Sequence, residues 1–317
     1  MYKQLTYQQR YTIFACLQKG MKKKDIASLI DVHPSTVSRE LKRNGTKNGN
    51  YVHVKAQEKC DSRRHRSPGN RRIGSLVMWR VKQYITDEEW SPKQISGYLK
   101  KEGVRISHTT IYAAIHADDS GRLAEHCRHK LKYRRRASTH VRQTKATNIR
   151  NRVSIHERPA EADGKRFGDW EMDLIVDANS NAILTLTERS TNYLLAAKLP
   201  EGKKSMPLAR VVRRLLQPFI GDALKTITTD NGSEFSAHEW ISRKLRVPVY
   251  FADSYSSWQK GAVESANKLI RQYLPKGTDL SKVTDKAIRD IQFKINRRPR
   301  EKLAFSSPKE EFYKKIA

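Results

Sequence analysis

Cysteine, long apolar runs and acidic residues are all scarce in this sequence. Its 317 residues include three cysteines, Cys16, Cys60 and Cys127, whose spacing fits neither a disulfide framework nor a zinc site. There is no run of about 18 apolar residues, so we expect no membrane span. The N-terminus also lacks the apolar segment of a signal peptide. These absences favour a protein of a reducing, cytoplasmic interior.

The shortage of acidic residues leaves a large positive charge. The chain has 63 Lys and Arg against 33 Asp and Glu, a formal net charge of +30. Residues 1–150 contain 33 basic against 12 acidic residues, and residues 151–317 contain 30 against 21. Such an excess predicts a polyanionic partner. The alternatives are a well-solvated surface or ribosome-like RNA binding. A role at a membrane surface is disfavoured, because no lipidation motif accompanies the charge.

The first predicted domain, residues 1–50, has the pattern of three short helices over residues 6–43. Gly20 ends the first helix, and Pro34 and Ser35 begin the third. Short helices joined by a tight turn, the last rich in Ser, Thr and Arg, are typical of a helix-turn-helix. The alternative is an ordinary three-helix bundle. The side chains expected to face DNA are hydroxylic or basic: Ser35, Thr36, Ser38, Arg39, Lys42 and Arg43.

A basic connection with a helix is predicted over residues 51–90, and a second helix-turn-helix over residues 91–127. Residues 44–75 are rich in Gly, Asn, Arg and Ser, so we expect a loop or extended segment there, followed by helical periodicity. In the second unit, Ser91 and Ser107 are predicted N-caps. A small helical spacer is the alternative. The residues expected to contact DNA are Ser107, His108, Thr109, Thr110 and Tyr112.

Residues 128–160 are predicted to be a basic linker. No acidic residue interrupts its first part, residues 128–150. We expect this part to lie along DNA, or to be disordered without it. Its most concentrated charge, and our predicted DNA contact, is the run Arg134, Arg135 and Arg136.

The last predicted domain, residues 161–317, has the pattern of an α/β fold. Strands are expected at 170–177, 182–187 and 193–199 as an antiparallel meander. A helix at 207–217, a strand at 224–229, a helix at 237–245 and a strand at 247–251 follow. Further helices begin near residue 259 and at 283, the latter predicted to be the last. This order is that of the ribonuclease-H-like fold. The chain is therefore predicted to be multidomain, with all-α helix-turn-helix units before an α/β domain.

Three carboxylates in this domain are candidates for a site. Asp173 lies within an otherwise apolar strand, Asp230 ends the fourth strand, and Glu264 lies in the first turns of a helix. Asp230 and Glu264 each have an ordinary interpretation, since Asp-Asn-Gly is a common turn and a lone helical glutamate is usually solvated. Asp173 is costly to bury unless it is paired or binds metal. If they converge, they offer the oxygen ligands that magnesium prefers. Lys268 and Arg271, on the same helix as Glu264, could neutralise DNA phosphates.

Three sequence blocks resemble those of the DDE transposases, most closely the insertion-sequence-thirty family. They are WEMDLI at 170–175, TDNGSEF at 229–235, and FAD at 251–253 continuing to WQKGAVE at 258–264. The runs LIRQYLPKG at 269–277 and NRRPR at 296–300 are similar too, and 33 residues separate Asp230 from Glu264. Met172, Val263 and Ser265 depart from the family pattern. The other nearby acids to be weighed are Glu171, Asp177, Glu234 and Asp253.

The resemblance implies an enzyme of DNA transposition. Asp173, Asp230 and Glu264 would be its catalytic residues and metal ligands, with magnesium as cofactor and manganese able to substitute. The N-terminal units would bind terminal inverted repeats. The catalytic domain would hydrolyse a strand at the element's ends, and the 3′ hydroxyl would attack target DNA. Joining two ends implies a homodimer or higher oligomer, and the setting would be the bacterial nucleoid. The rivals are a metal-dependent nuclease without strand transfer and a non-enzymatic DNA-binding regulator.

Overall fold

The computed structural model describes residues 4–46, 49–66, 73–131, 149–254 and 256–317. The predicted contacts Arg134, Arg135 and Arg136 lie outside these residues. The chain divides into two compact units, Met1–Gly74 and Ser75–Ala317. No helix among the described residues has both the length and the apolar character needed to cross a bilayer.

The first unit contains the three short helices that the sequence predicts over residues 6–43, and a fourth. Thr6 caps the first helix through a reciprocal bond pair with Gln9, which satisfies amides that have no partner within the helix. Ile13, Ile26 and Val37 are fully buried at the centre of the unit. The helices are α1 (Tyr7–Gln18), α2 (Lys23–Leu29), α3 (Pro34–Asn44) and α4 (His53–Arg66).

Helix α4 corrects the expectation of a loop or extended segment over residues 44–75. Its sequence contains no Gly or Pro, and Ala, Gln, Glu, Lys and Arg are good helix formers. The apolar periodicity that would have marked it is nearly absent, because Val54 and Ala56 are its only aliphatic residues. Ala56 and the preceding Tyr51 nevertheless pack into the core of the unit. Tertiary contact therefore stabilises a helix that has almost no amphipathic signal.

The second unit begins with four helices, which include the second predicted helix-turn-helix. Ser91 forms a capping box with Gln94, and Ser107 caps the next helix through the amide of Thr110. Both serines are therefore the N-caps that the sequence predicts. The helices are α5 (Ser75–Thr86), α6 (Pro92–Lys101), α7 (His108–His116) and α8 (Arg122–His126), followed by a 3-10 turn at Arg128–Leu131.

These helices pack directly against the C-terminal part of the sheet domain. Glu89 accepts bonds from Lys294 at 2.6 Å and from Arg298 at 3.3 Å. Gly97 of α6 lies against the ring of Phe305, where an added Cβ would be 2.1 Å from a ring carbon. Only glycine allows this approach, so the sequence of α6 fixes how closely the two parts dock.

The sheet domain has six strands in the order β1-β6-β5-β2-β3-β4. Strands β2, β3 and β4 form the predicted antiparallel meander, and β5, β6 and β1 continue the sheet in parallel on the other side of β2. This is the ribonuclease-H-like arrangement predicted from the sequence. The strands are β1 (Val153–Ser154), β2 (Asp169–Val176), β3 (Ala182–Glu188), β4 (Leu194–Leu199), β5 (Thr226–Thr229) and β6 (Val249–Phe251).

Two elements of this domain were not expected. Strand β1 lies within residues 128–160, which the sequence predicts to be linker, and two residues are too few to produce an alternation pattern. Helix α13 follows the helix predicted to be the last, and its Phe312 is fully buried beside Trp170 and Tyr193. The helices of the domain are α9 (Ser205–Leu216), α10 (His238–Leu245), α11 (Gly261–Tyr273), α12 (Asp285–Arg297) and α13 (Pro308–Ile316).

Both faces of the sheet are covered, and β2 contributes to each. Trp170 and Met172 point into the core on the side of α9, α10 and α13. Ile175 belongs to the core on the side of α11 and α12. Because side chains alternate along a strand, Glu171 and Asp173 face the same side as Ile175. Met172 therefore points away from the carboxylates, so its departure from the family pattern affects packing on the opposite face.

Candidate active site

Asp173 on β2 and Asp230, directly after β5, lie side by side, because the two strands are parallel neighbours. Glu171 of β2 is in register with Thr228 of β5, and each aspartate follows two residues later. The Nζ atom of Lys260 is 2.9 Å from Oδ2 of Asp230 and 3.5 Å from Oδ1 of Asp173. The structure therefore brings two of the three predicted carboxylates to a single cation.

Backbone and amide donors hold both aspartates in place. The Leu174 amide donates to Oδ1 of Asp173, and Nδ2 of Asn267 donates to its Oδ2, each at 2.9 Å. The Gly232 amide donates to Oδ1 of Asp230 at 3.0 Å, within the Asp-Asn-Gly turn. Each carboxylate thus has a fixed orientation before any ligand arrives, which is a form of preorganisation.

Lys260 is buried, with 5 % of its surface exposed. Burial alone would lower the pKa of Lys260, but Asp173 and Asp230 raise it above its ordinary value. Burial raises the pKa of Asp173, and the charge of Asp230 adds to this, while Lys260 opposes the rise. Two neighbouring carboxylates in a partly buried site favour a bound cation.

Glu264 lies in the first turn of α11, one turn before Asn267. Its half-buried carboxylate has no hydrogen bond or ion pair with the described residues. Among those residues, no group of three His, Cys, Asp or Glu side chains is arranged to hold a metal ion. The structure thus places Glu264 on the helix that contacts Asp173 through Asn267, and convergence of all three carboxylates stays a prediction.

Glu171 links β2 to the start of α11. It is 1 % exposed, and its two oxygens accept bonds from the Val263 amide and from Nε of Arg189, both at 2.9 Å. Burial raises the pKa of Glu171, although Val263 and Arg189 oppose this. Glu171 therefore positions the helix that carries Glu264. Val263 contributes its amide to this contact, so its departure from the family pattern leaves the link intact.

Two of the other acids near the site, Asp177 and Asp253, have structural partners. Asp177 accepts bonds from Asn181 and from the amide of Leu280. Asp253 accepts bonds from Nε2 of Gln259 at 2.8 Å and from the ring of His156 at 2.9 Å. Asp253 therefore orders the segment that leads into the 3-10 turn Ser257–Lys260.

Sequence reasoning did not identify the roles of Lys260 and Asn267. Asn267 lies three residues after Glu264 and shares its helix face, which is a signal that could have found it. Its Oδ1 atom is buried and has no hydrogen-bond partner among the described residues. Lys260 lies within the WQKGAVE block, but nothing in the sequence indicates that its side chain turns inward.

The two basic residues predicted on α11 differ in their surroundings. Lys268 is exposed. The guanidinium of Arg271 donates to the carbonyls of Leu274 and Pro275 beyond the helix end and to that of Val176, each at 3.4 Å. Arg271 thus lies beside the end of β2, on the carboxylate side of the sheet.

The predicted DNA-contact residues of α3 and α7 form polar faces on their helices. On α3, Val37, Glu40 and Asn44 are buried. Four of the six predicted residues there are exposed, namely Ser38, Arg39, Lys42 and Arg43, while Ser35 and Thr36 are half-buried. At α7 the exposed predicted residues are Ser107, His108, Thr109 and Thr110, while Tyr112 is half-buried.

A helix-turn-helix domain family matches residues 1–44. The chain is 40% identical over 98% of its length to the transposase of insertion sequence element IS4351 from Bacteroides fragilis, covering 96% of that protein. It is 36% identical to the transposase of IS1086 from Cupriavidus metallidurans, over 97% of this chain and 93% of that one. It is 32% identical to transposase InsI of IS30A from Escherichia coli K12, over 99% and 84%.

Among solved structures, the catalytic core domain of BIV integrase aligns with 47% of this chain and 95% of its own, at a TM-score of 0.38 and 20% identity. Helix-turn-helix helices, a ribonuclease-H-like sheet and near full-length similarity to three insertion-sequence transposases all agree with one assignment. The chain belongs to the insertion-sequence-thirty (IS30) family of transposases.

Proposed function

We propose that this transposase binds the terminal inverted repeats of an insertion sequence and catalyses magnesium-dependent DNA cleavage and strand transfer. The observation that carries the proposal is the pairing of Asp173 and Asp230 about one cation, Lys260 Nζ. The proposed catalytic residues and metal ligands are Asp173, Asp230 and Glu264.

The residues at the site suit a hard divalent cation. The two aspartates present carboxylate oxygens, and Asn267 adds a buried carbonyl oxygen with no partner among the described residues. Magnesium prefers oxygen ligands and retains several waters, so a site with two fixed carboxylates and a third on α11 suits it. Bound divalent ions would activate an attacking oxygen and stabilise the leaving oxygen of a phosphodiester. Manganese has the same ligand preference and is expected to substitute.

The proposed chemistry has two displacements at phosphorus. In the first, a water oxygen bonds to the phosphorus at the element's end and the bond to the 3′ oxygen breaks, leaving a 3′ hydroxyl. In the second, that hydroxyl attacks a target phosphodiester, so one P–O bond forms as another breaks. Neither step needs a covalent protein intermediate. Lys268 and Arg271, both on α11, would bind phosphates of the reacting strands.

DNA recognition is assigned to the two helix-turn-helix units. Basic side chains on the exposed face of α3 suit phosphates and guanine edges, and the hydroxyls at the start of α7 suit phosphates or base edges. Bringing two element ends together requires more than one such set, so we infer a homodimer or higher oligomer. The setting would be the bacterial nucleoid.

A strand-transfer assay with pre-cleaved element ends tests this proposal. The full-length protein is expected to join these ends to target DNA in magnesium or manganese, and a plain nuclease would not. Asp230→Asn is expected to abolish joining while retaining binding to the ends. Unchanged joining by Asp230→Asn would refute the catalytic assignment. Binding without cleavage or joining by the unaltered protein would favour a non-enzymatic regulator.

A further inference from the structure

Lys260 occupies the place between the two aspartates that a bound cation would take. Its ammonium is 2.9 Å from one carboxylate and 3.5 Å from the other, and the side chain is almost wholly buried. We propose that Lys260 is an internal counter-ion for Asp173 and Asp230, and that it competes with the divalent cation and leaves when that cation binds. The inference rests on the proposed function, because it assumes that these aspartates bind metal.

Competition follows from charge and geometry. An ammonium in contact with both carboxylates would lie beside any ion that they share. Two cations bound to the same pair of carboxylates repel each other, and this repulsion is strong where water is largely excluded. The same ammonium also relieves the repulsion between the two aspartates while no metal is bound. Lys260 is therefore expected to stabilise the metal-free protein and to weaken metal binding.

Lys260, and not the aspartates, is the side chain free to move. Backbone and amide donors fix Asp173 and Asp230, whereas a lysine ammonium lies at the end of four flexible methylenes. Lys260 is also the last residue of the 3-10 turn Ser257–Lys260, at the junction with α11. The neighbouring Trp258 is 74 % exposed, so this turn lies at the protein surface.

The chain offers a matched control for the loss of a paired lysine. Lys286 forms an ion pair with Asp290 at 2.8 Å on α12, and both side chains are largely exposed. Lys286→Met removes the same charge and one ion pair, but its partner does not belong to the site. Any general effect of lower net charge on cation binding will appear in this variant as well.

The test is calorimetric titration of the full-length protein with magnesium chloride, without DNA. Lys260→Met is expected to bind magnesium at least about tenfold more tightly than the unaltered protein, because a repelling charge is gone. Its melting temperature should be lower without magnesium and should rise further when magnesium is added. Lys260→Gln keeps a polar side chain and should behave in the same way. It replaces the methionine variant in the test if that variant folds poorly. Lys286→Met should match the unaltered protein.

Two outcomes separate failure of this inference from failure of the proposed function. Unchanged or weaker magnesium binding by both Lys260 variants, with binding lost in Asp230→Asn, would overturn the counter-ion role and keep the metal site. Unaltered binding by Asp230→Asn would overturn the metal site itself.

A measurement on the unaltered protein gives a second test. Amine-reactive labelling followed by mass spectrometry reports whether each lysine is accessible. Lys260 is expected to be protected without magnesium and to be labelled at saturating magnesium, while Lys286 is labelled in both. Protection of Lys260 that persists at saturating magnesium would contradict displacement.

Discussion

The protein buries a basic side chain against carboxylates in both of its units. The two sites differ in how far the carboxylates remain exposed to solvent. In the first unit, Arg10 bonds to Glu40, to the Leu5 carbonyl and to Gln57, and Tyr51 donates to Glu40. In the second, Lys260 meets two aspartates that remain partly exposed, at 21% and 43% of their side-chain surfaces. An ion pair with both side chains buried, as in the first unit at 4% and 8% exposed, is structural. An ion pair whose carboxylates remain partly exposed can exchange its cation.

We call the Lys260 site with Asp173 and Asp230 the open site, and the Arg10–Glu40 site the closed site. Altering the open site is predicted to remove activity but not stability. Asp230→Asn should lower strand transfer by at least about a thousandfold, since a ligand of the proposed metal is lost. Its unfolding free energy should change by less than about 1 kcal/mol, because Asp173 still neutralises Lys260 and one repulsion between carboxylates disappears. Strand-transfer assays and urea unfolding measure the two effects. A large loss of stability would mean that this site is structural too.

Altering the closed site should instead lower the stability of the first unit. Glu40→Gln should destabilise the first unit by about 3–5 kcal/mol, because Arg10 remains buried with no opposing charge. Hydrogen exchange of the amides in α1 and α3 of the full-length protein measures this. Replacing both partners, as Arg10→Met with Glu40→Leu, should recover part of the loss, since no buried charge remains. Equal exchange in Glu40→Gln and the unaltered protein would remove the distinction between the two places.

Sequence reasoning predicted the parts of the fold that depend on local pattern. Cap residues such as Ser91, the alternation along β2 and the block spacing were enough for the order of most helices and strands and for the aspartate positions. Helix α4, strand β1 and helix α13 were not predicted, because tertiary packing stabilises them more than their own periodicity does. Lys260 was missed for a related reason: the sequence does not specify whether a lysine in a polar loop faces water or a carboxylate.

Glu171 shares a feature with each site. It is buried with a partner for each oxygen, and it also adjoins the open site. Glu171→Gln should lower the unfolding free energy by about 1–3 kcal/mol through the weakened bonds to Arg189 and to the Val263 amide. It should also lower strand transfer by about 10–100-fold, as expected when a residue that orients a metal ligand is changed. Asp177→Asn is the matched control, since it alters a partnered acid directly after the same strand that does not contact the start of α11. Equal effects of both variants on strand transfer would contradict a positioning role for Glu171.

The smallest expected effect concerns Glu89, a partnered acid where the helices α5–α8 meet the sheet domain. Burial opposes its ionisation, but Lys294 and Arg298 outweigh this and hold the pKa of Glu89 below its ordinary value. A carboxylate with a lowered folded pKa adds stability above its unfolded pKa of about 4.3, and that stability is lost as the pH falls through the folded pKa. Glu89→Gln should therefore be less stable than the unaltered protein at pH 7, by about 1–3 kcal/mol, and the difference should shrink in acid.

Urea unfolding across this pH range measures the difference, and the exposed pair Lys93–Glu301 supplies the control. Glu301 lies at the same junction at 2.7 Å from Lys93, but both side chains are more than half exposed. Glu301→Gln should lower the free energy of unfolding by less than about 1 kcal/mol at any pH, because solvent screens an exposed pair. If the two variants lose stability equally at pH 7, then burial does not distinguish these pairs. The contrast between closed and open ion pairs would then rest on Arg10 and Lys260 alone.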